Sequence, residues 1–324
     1  MIRSLLLLLL PARALCAGLA AEPIPWQDGA PLAVPFLQLP FEAPETLPAG
    51  QVRAGLRTIY SNNIASQKSI GVEVHYHFET AQPSLVLRAG IGGGLELHLE
   101  AAVVSEQIAY FDPAVKTVES WFGTLNKLRK VPLSREPRFF IQRPGEPSVS
   151  FSGPQLAMGD VWFGTKGMLR EQQGGAGPTL AWRAALKVPT GHFPFGSGVV
   201  EEGVGLLADY ELGSRHLWTV ADLMIPDGTV SRTRLPTRPH PAFQLGLGQD
   251  LGAHVTLLLQ GSTHGSALQY MHMSEIDGWT FYVVAGVRVA PTSSFTCGLS
   301  LVENLIVTER GNDIAATFDF AWRW

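Results

Sequence analysis

Two groups of side chains in this sequence have types and spacings that invite chemistry. Glu73, His75, His77 and Glu79 alternate with Val72, Val74, Tyr76 and Phe78, so on an extended chain the imidazoles and carboxylates share one face. Such a face offers ligands to a divalent metal if a neighbouring strand completes the set. The plainer alternative is a row of hydrogen-bonded or solvated histidines, and neither a metal nor a cofactor is assigned here. The second group is His264, Ser266 and His272. A serine near a histidine is a nucleophile with its base only when a third group orients the base and an oxyanion site faces the serine. Gly261-Ser262-Thr263-His264-Gly265-Ser266 is equally the composition of a turn, and no catalytic residue is assigned.

The elements that carry these residues have period two. From Asp313 to Trp324, Ile314, Ala316, Phe318, Phe320, Trp322 and Trp324 fall on one face, opposite Asp313, Thr317, Asp319 and Arg323. Similar alternation recurs upstream. Leu95, Leu97, Leu99, Ala101 and Val103 oppose Glu96, His98 and Glu100; Leu180, Trp182, Ala184, Leu186 and Val188 oppose Arg183 and Lys187; Trp279, Phe281 and Val283 oppose Thr280, Tyr282 and Arg288. Runs of about ten residues with one apolar and one polar face suit tilted strands of an outer-membrane β-barrel. The closing strand with its terminal aromatic residue resembles the signal read by the bacterial barrel-assembly machinery, although Trp324 stands where Phe is usual.

The connections alternate in length. Short ones at Ile91 to Gly94, Glu171 to Pro178, Gly213 to Arg215, Gln249 to Gly252 and Ala290 to Thr292 suit periplasmic turns. Long ones at Ser105 to Leu156, Thr190 to Glu202, Pro226 to Arg238, Thr263 to Asp277 and Asn304 to Asn312 suit outer loops. The expectation is an all-β transmembrane antiparallel barrel of about twelve strands, with about fourteen as the alternative. In the twelve-strand form, residues 68 to 78 extend a strand beyond the membrane and the insert 105–156 is an outer lid. Within that insert Asp112 and Pro113 suit a helix start, and Val115, Val118, Trp121, Phe122 and Leu125 recur at helical spacing. This lid helix packs on the barrel mouth or engages lipid headgroups or a partner, with Asp112, Trp121 and Phe122 as its candidate residues.

The ends and composition fit a secreted barrel. Residues 1–21 carry Arg3, an apolar run from Leu5 to Leu10 and small residues to Ala21, which reads as a signal peptide cleaved after Ala20 or Ala21. Arg13 and Leu15 disfavour a lipoprotein reading of Cys16. Removal of the signal leaves Cys297 alone, so no intramolecular disulfide forms. No apolar stretch is long enough for a helical span although 46% of the residues are hydrophobic, and strand alternation hides such residues in a barrel wall. A net charge of −4 without a Lys/Arg block argues against nucleic acid. Residues 22–49 hold prolines at 23, 25, 31, 35, 40, 44 and 48, which excludes a central strand and leaves a periplasmic tail or a segment folded into the lumen. Residues 50–324 form the barrel.

Motifs in the same order resemble an uncharacterised family of bacterial outer-membrane barrels. They are Pro31-Leu32-Ala33 with Phe36 and Leu39-Pro40, Ala49-Gly50-Gln51, Asn62-Asn63, Glu79-Thr80, Gly92-Gly93-Gly94-Leu95-Glu96, Tyr110-Phe111-Asp112 with Trp121-Phe122-Gly123, Gly159-Asp160, Lys187-Val188-Pro189-Thr190-Gly191 with Gly196-Ser197-Gly198, and Val302-Glu303-Asn304. His192, Trp121 and His77 depart from the Asp, His and Asp usual at their places. The resemblance implies a fold and a Gram-negative outer-membrane location, and no reaction or ligand.

In such a barrel Arg53, Arg57, Glu96, Glu100, Asp160, Lys166, Arg183, Lys187, Asp209, Asp222, Arg288, Asp319 and Arg323 point mostly inward. They line a wet channel or form a salt-bridged filling, and their mixed signs favour neither ion class. Three functions remain open: passive passage of a small solute, a surface-binding or structural barrel with a filled lumen, and an outer-leaflet lipid hydrolase built on His264 and Ser266. The expected partners are outer-membrane lipid and the assembly machinery, and the expected state is a monomer.

Overall fold

The computed structural model describes residues 21–122, 128, 138–173, 177–269, 271–305 and 311–324. The signal-peptide reading of residues 1–20 and the place of Leu125 lie outside these. Among the described residues fourteen strands form one antiparallel sheet: Val52–Lys68 (β1), Glu73–Gly92 (β2), Leu95–Gln107 (β3), Arg138–Gln142 (β4), Val149–Ser152 (β5), Gln155–Arg170 (β6), Thr179–Val188 (β7), Glu201–Leu212 (β8), Arg215–Pro226 (β9), His240–Asp250 (β10), Val255–His264 (β11), Thr280–Val289 (β12), Phe295–Asn304 (β13) and Ile314–Arg323 (β14). β1 pairs with both β2 and β14, and β3 pairs with β6, so twelve strands close into a barrel while β4 and β5 stand aside. Closure removes the free edges that an open sheet of this size would present.

Side-chain alternation drives the closure. Along β9 the burial pattern alternates without a break, with His216, Trp218, Val220 and Asp222 inside and Leu217, Leu223 and Ile225 outside. On β14 Phe318, Phe320 and Trp322 are exposed while Thr317 and Asp319 are buried. The wall is therefore inverted relative to a soluble protein: its outer face is apolar, and its charged side chains point inward among packed residues such as Trp218 and Val220.

Two features rise above the wall at the long-loop end. β1 and β2 pair as far as Lys68↔Glu73, whereas β14 leaves β1 at Asn62 and β3 leaves β2 at Glu79. The protruding hairpin carries β4 and β5 on its edge. This explains the apolar row Val72, Val74, Tyr76 and Phe78: it is buried with Phe139, Ile141, Phe193, Leu235 and Leu268 in a cap over the mouth. Phe139 stacks on Phe151 at 5.5 Å within it.

The helix Asp112–Phe122 (α1) starts at the expected residue. Its first turn docks beside the mouth, on the outward side of β1 and β2. There Asp112 meets His77 Nε2 at 2.6 Å and Asn62 Nδ2 at 3.0 Å, and the Phe111 N–H donates to Glu79 at 2.6 Å. The cap itself is built by β4, β5 and the loops between the wall strands.

Candidate functional site: the filled lumen

The barrel interior is occupied by residues 21–44, and residues 45–50 lead out at the short-turn end. Glu22 meets Arg53 and Arg288 near the short-turn end. Ile24 lies against Gln260, whose side-chain amide accepts from its N–H at 2.7 Å and donates to its C=O at 3.1 Å. Further along, Trp26 packs edge-on against Tyr282, and Asp28 accepts from Tyr282 at 2.8 Å and contacts His264 at 3.0 Å. The chain turns at residues 31–35 beneath the cap, where Leu32 and Phe36 join the apolar cluster. It then returns along the opposite wall: the Leu37 N–H donates to Glu201, the Leu39 carbonyl accepts from Gln244 and the Pro40 carbonyl accepts from Arg183. It leaves past Gly90, whose C=O accepts from the Gly50 N–H, and enters β1.

The sequence of this segment suits that path. A chain running through a lumen without a ladder must find a partner for every backbone donor. Each proline leaves one donor fewer and keeps the backbone extended. The two limbs also satisfy one another, with Gln38 accepting from the Asp28 N–H at 2.6 Å and donating back to the Asp28 C=O at 2.9 Å. Wall glycines make room. A Cβ on Gly246 would lie 2.8 Å from the Phe41 ring, and one on Gly203 would lie 3.0 Å from Leu37.

Charge pairs fix the plug at its lower half. Glu42 sits 3.0 Å from Arg183, 3.2 Å from Lys166 and 3.4 Å from Arg88. Burial pushes the Glu42 carboxyl upward, but Lys166, Arg88 and Arg183 outweigh it and hold the group well below the carboxylate range. Glu22 follows the same logic: burial raises it, Arg53, Arg288 and Arg88 pull it down, and it settles at about 2.

The candidate lumen residues fall as follows. Arg53, Arg57, Glu96, Glu100, Lys166, Arg183, Lys187, Arg288 and Asp319 are all buried inside. Arg57 pairs with Glu100, Arg183 with Asp222, Arg288 with Asp319, and Lys187 with Asp160 and Glu201. Asp209 meets His216. Arg323 differs: it is in phase with the inner face but lies at the rim, where its guanidinium donates to the Ser293 carbonyl, because β14 ends there. Of the lid residues, Asp112 is tied to the wall as described, Trp121 is 75% exposed, and the Phe122 side chain lies outside the described residues.

The other two groups meet different partners. His75 contacts Ser66 and Glu73, while His77 contacts Asp112. No cluster of three metal-ligating side chains occurs among the described residues. His264 Nε2 faces Asp28, and the buried Ser266 hydroxyl accepts from the Leu268 N–H. Sequence reasoning did not single out Glu22, Asp28, Glu42 or Arg88. One signal was present: Ile24, Trp26, Leu32, Phe36, Leu37, Leu39 and Phe41 make the segment too apolar for a solvated tail.

Comparison with known proteins agrees with the architecture. The family model described as "Protein of unknown function (DUF3187)" matches residues 19–324. Among solved structures the chain is similar to an outer-membrane channel from Pseudomonas putida F1, at 14% identity and a TM-score of 0.56, covering 87% of this chain and 98% of that one. It also matches the NanC porin, at 8% identity and TM-score 0.45 over 84% and 98% of the two chains. LpxR from Salmonella typhimurium matches at 6% identity and TM-score 0.46 over 83% and 99%. The fold likeness rests on the first. No curated protein matches in sequence.

Proposed function

This chain belongs to the protein family of unknown function DUF3187, and from the lumen it encloses we propose that it is a gated channel of a bacterial outer membrane. In this reading the N-terminal segment is the gate, and a small solute crosses when it withdraws. The observation that carries it is that the barrel is filled by a separate chain segment held through side-chain contacts, while the wall ladder closes without that segment. Wall strands β7 to β14 run for ten to twelve residues, the length of tilted spanning strands. Their exposed apolar faces match hydrocarbon, with the short turns toward the periplasm and the cap outside.

A second reading, a sealed barrel that acts through its surface, is favoured by the apolar cap over the mouth. Planar-bilayer recording separates the two. The full chain shows rare openings, and Gly246→Val, which pushes a methyl group into the Phe41 ring, lengthens and multiplies them. Silence in both proteins, with heat-modifiable migration showing both barrels folded, favours the sealed barrel.

A further inference from the structure

The plug's carboxylates occupy an unusual chamber. Between the plug and strands β1, β2, β3, β12 and β14 lies a cavity with about 70 Å³ of solvent space, where Arg53, Arg57, Arg88 and Arg288 from the wall meet Glu22 and Glu42 from the plug among apolar side chains such as Phe41 and Val86. That volume holds only a few waters. Arg57 and Arg288 are each 2% exposed, and the Nε of each lacks a hydrogen-bond partner.

In the ion pairs that reach Glu22 and Glu42, with Arg57–Glu100 beside them, the wall's cations outnumber its acids. Arg53, Arg57, Arg88, Lys166, Arg183 and Arg288 face Glu96, Glu100, Asp222 and Asp319. Those six cations exceed the four acids by two, and Glu22 and Glu42 supply the missing two charges. Arg53 Nη1 grips both oxygens of Glu22, at 2.6 and 2.7 Å, while Arg288 Nη1 takes one of them at 2.9 Å. A buried cation left without its counter-charge is strongly unfavourable. When the plug leaves, this part of the wall is short of two counter-charges, which anions can supply.

We infer that this chamber is an anion site, that the plug's carboxylates are stand-ins for the cargo, and that the cargo is a small organic carboxylate. This rests on the channel reading. Exchange of one carboxylate for another costs the wall no unpaired charge, so a carboxylate solute competes with the plug and eases its release, whereas a cation or a sugar does not. Arg57 Nε and Arg288 Nε are donors that such a solute can use and the plug leaves free.

The test uses the full chain with Glu22→Gln and Glu42→Gln together, in planar bilayers under a potassium chloride gradient, with succinate as the probe. Chloride is expected to be favoured over potassium by about tenfold, the lower end of focusing by a charged cleft. Millimolar succinate should block that current, and Arg288→Gln should weaken the block. Unselective or cation-selective current, or block by succinate no better than by glucose, overturns the inference. Thermal unfolding of the same variant in detergent gives a readout independent of current. Silence with stabilisation by succinate refutes the channel and keeps the anion site; silence without stabilisation refutes both. If the double variant does not fold, the wild-type chain serves: succinate should raise its opening frequency and glucose should not, and equal responses count against the inference.

Discussion

Neutralising Glu42 isolates the plug's attachment from the rest of the barrel. Its carboxylate touches Lys166, Arg183 and Arg88, whose side chains are 3%, 4% and 13% exposed. Breaking a buried ion pair from one side costs about 3–5 kcal/mol. Glutamine keeps hydrogen-bonding capacity, and Glu96 and Asp222 still serve the same cations, so the lower figure, about 3 kcal/mol, applies. None of those contacts belongs to a wall ladder, so the loss falls on plug docking and shifts the docked-to-released ratio by about a hundredfold. A cysteine at Ala30, fully buried beneath the cap, reports that ratio in a Cys297→Ser background, because labelling by an impermeant maleimide follows the released population. Glu42→Gln should speed labelling by about two orders of magnitude, while heat-modifiable migration stays normal. Glu202→Gln is the control, since Glu202 lies exposed on the outer side of β8, away from the plug. Labelling of Glu42→Gln within about twofold of the parent, well inside the spread of mutational estimates, refutes the reasoning, as does an equal rise in the control.

Acid should loosen the same anchor. Glu22 falls from an ordinary value near 4.5 to about 2 in the folded chain, so its contribution, about 3 kcal/mol, is complete above pH 4.5 and lost as pH falls toward 2. Relative to an exposed cysteine labelled at the same pH, which corrects for the changing thiolate fraction, labelling at residue 30 should be flat from neutral pH to 5 and accelerate below 4.5, whereas relative acceleration on the alkaline side contradicts this assignment. His77→Ala removes one partner of Asp112 at the start of α1, leaving Asn62. Limited proteolysis within residues 105–122 should accelerate while the barrel fragment survives, and unchanged cleavage shows that this contact does not hold the helix.

The wall was legible because a barrel imposes period two on every strand, and side chains facing lipid differ in kind from those facing a polar lumen. Phe318 and Asp319, or Leu186 and Lys187, announce their sides by chemistry alone. The extension at residues 68–78 was legible for the same reason, and its apolar row found its partners in Phe139 and Ile141, which lie too far along the chain for local pattern to reveal. The plug was legible only as one of two paths for residues 22–49, a periplasmic tail or a segment folded into the lumen. Its residues have no periodicity, and its contacts join positions such as Asp28 and His264 that only the closed barrel brings together. The mixed signs of the inner charges hid the basic chamber, because the two acids that balance it lie in a segment whose prolines mark only what it does not form. His264 and Ser266 suggested chemistry through sequence proximity, while the fold turns the first toward Asp28 and buries the second against a backbone amide.

The most direct test of a plug that gates the lumen is to lock it reversibly. A Cβ built on Gly29 would lie 3.1 Å from the Ser61 Cβ, a few tenths of an ångström inside the usual disulfide span, so Gly29→Cys with Ser61→Cys can staple the plug to β1. In a Cys297→Ser, Glu42→Gln background, single-channel recording should show no steps under oxidising conditions and frequent steps after reduction. Equal conductance in the two states means that the segment is not the barrier, and silence after reduction of a folded barrel means that the lumen does not conduct.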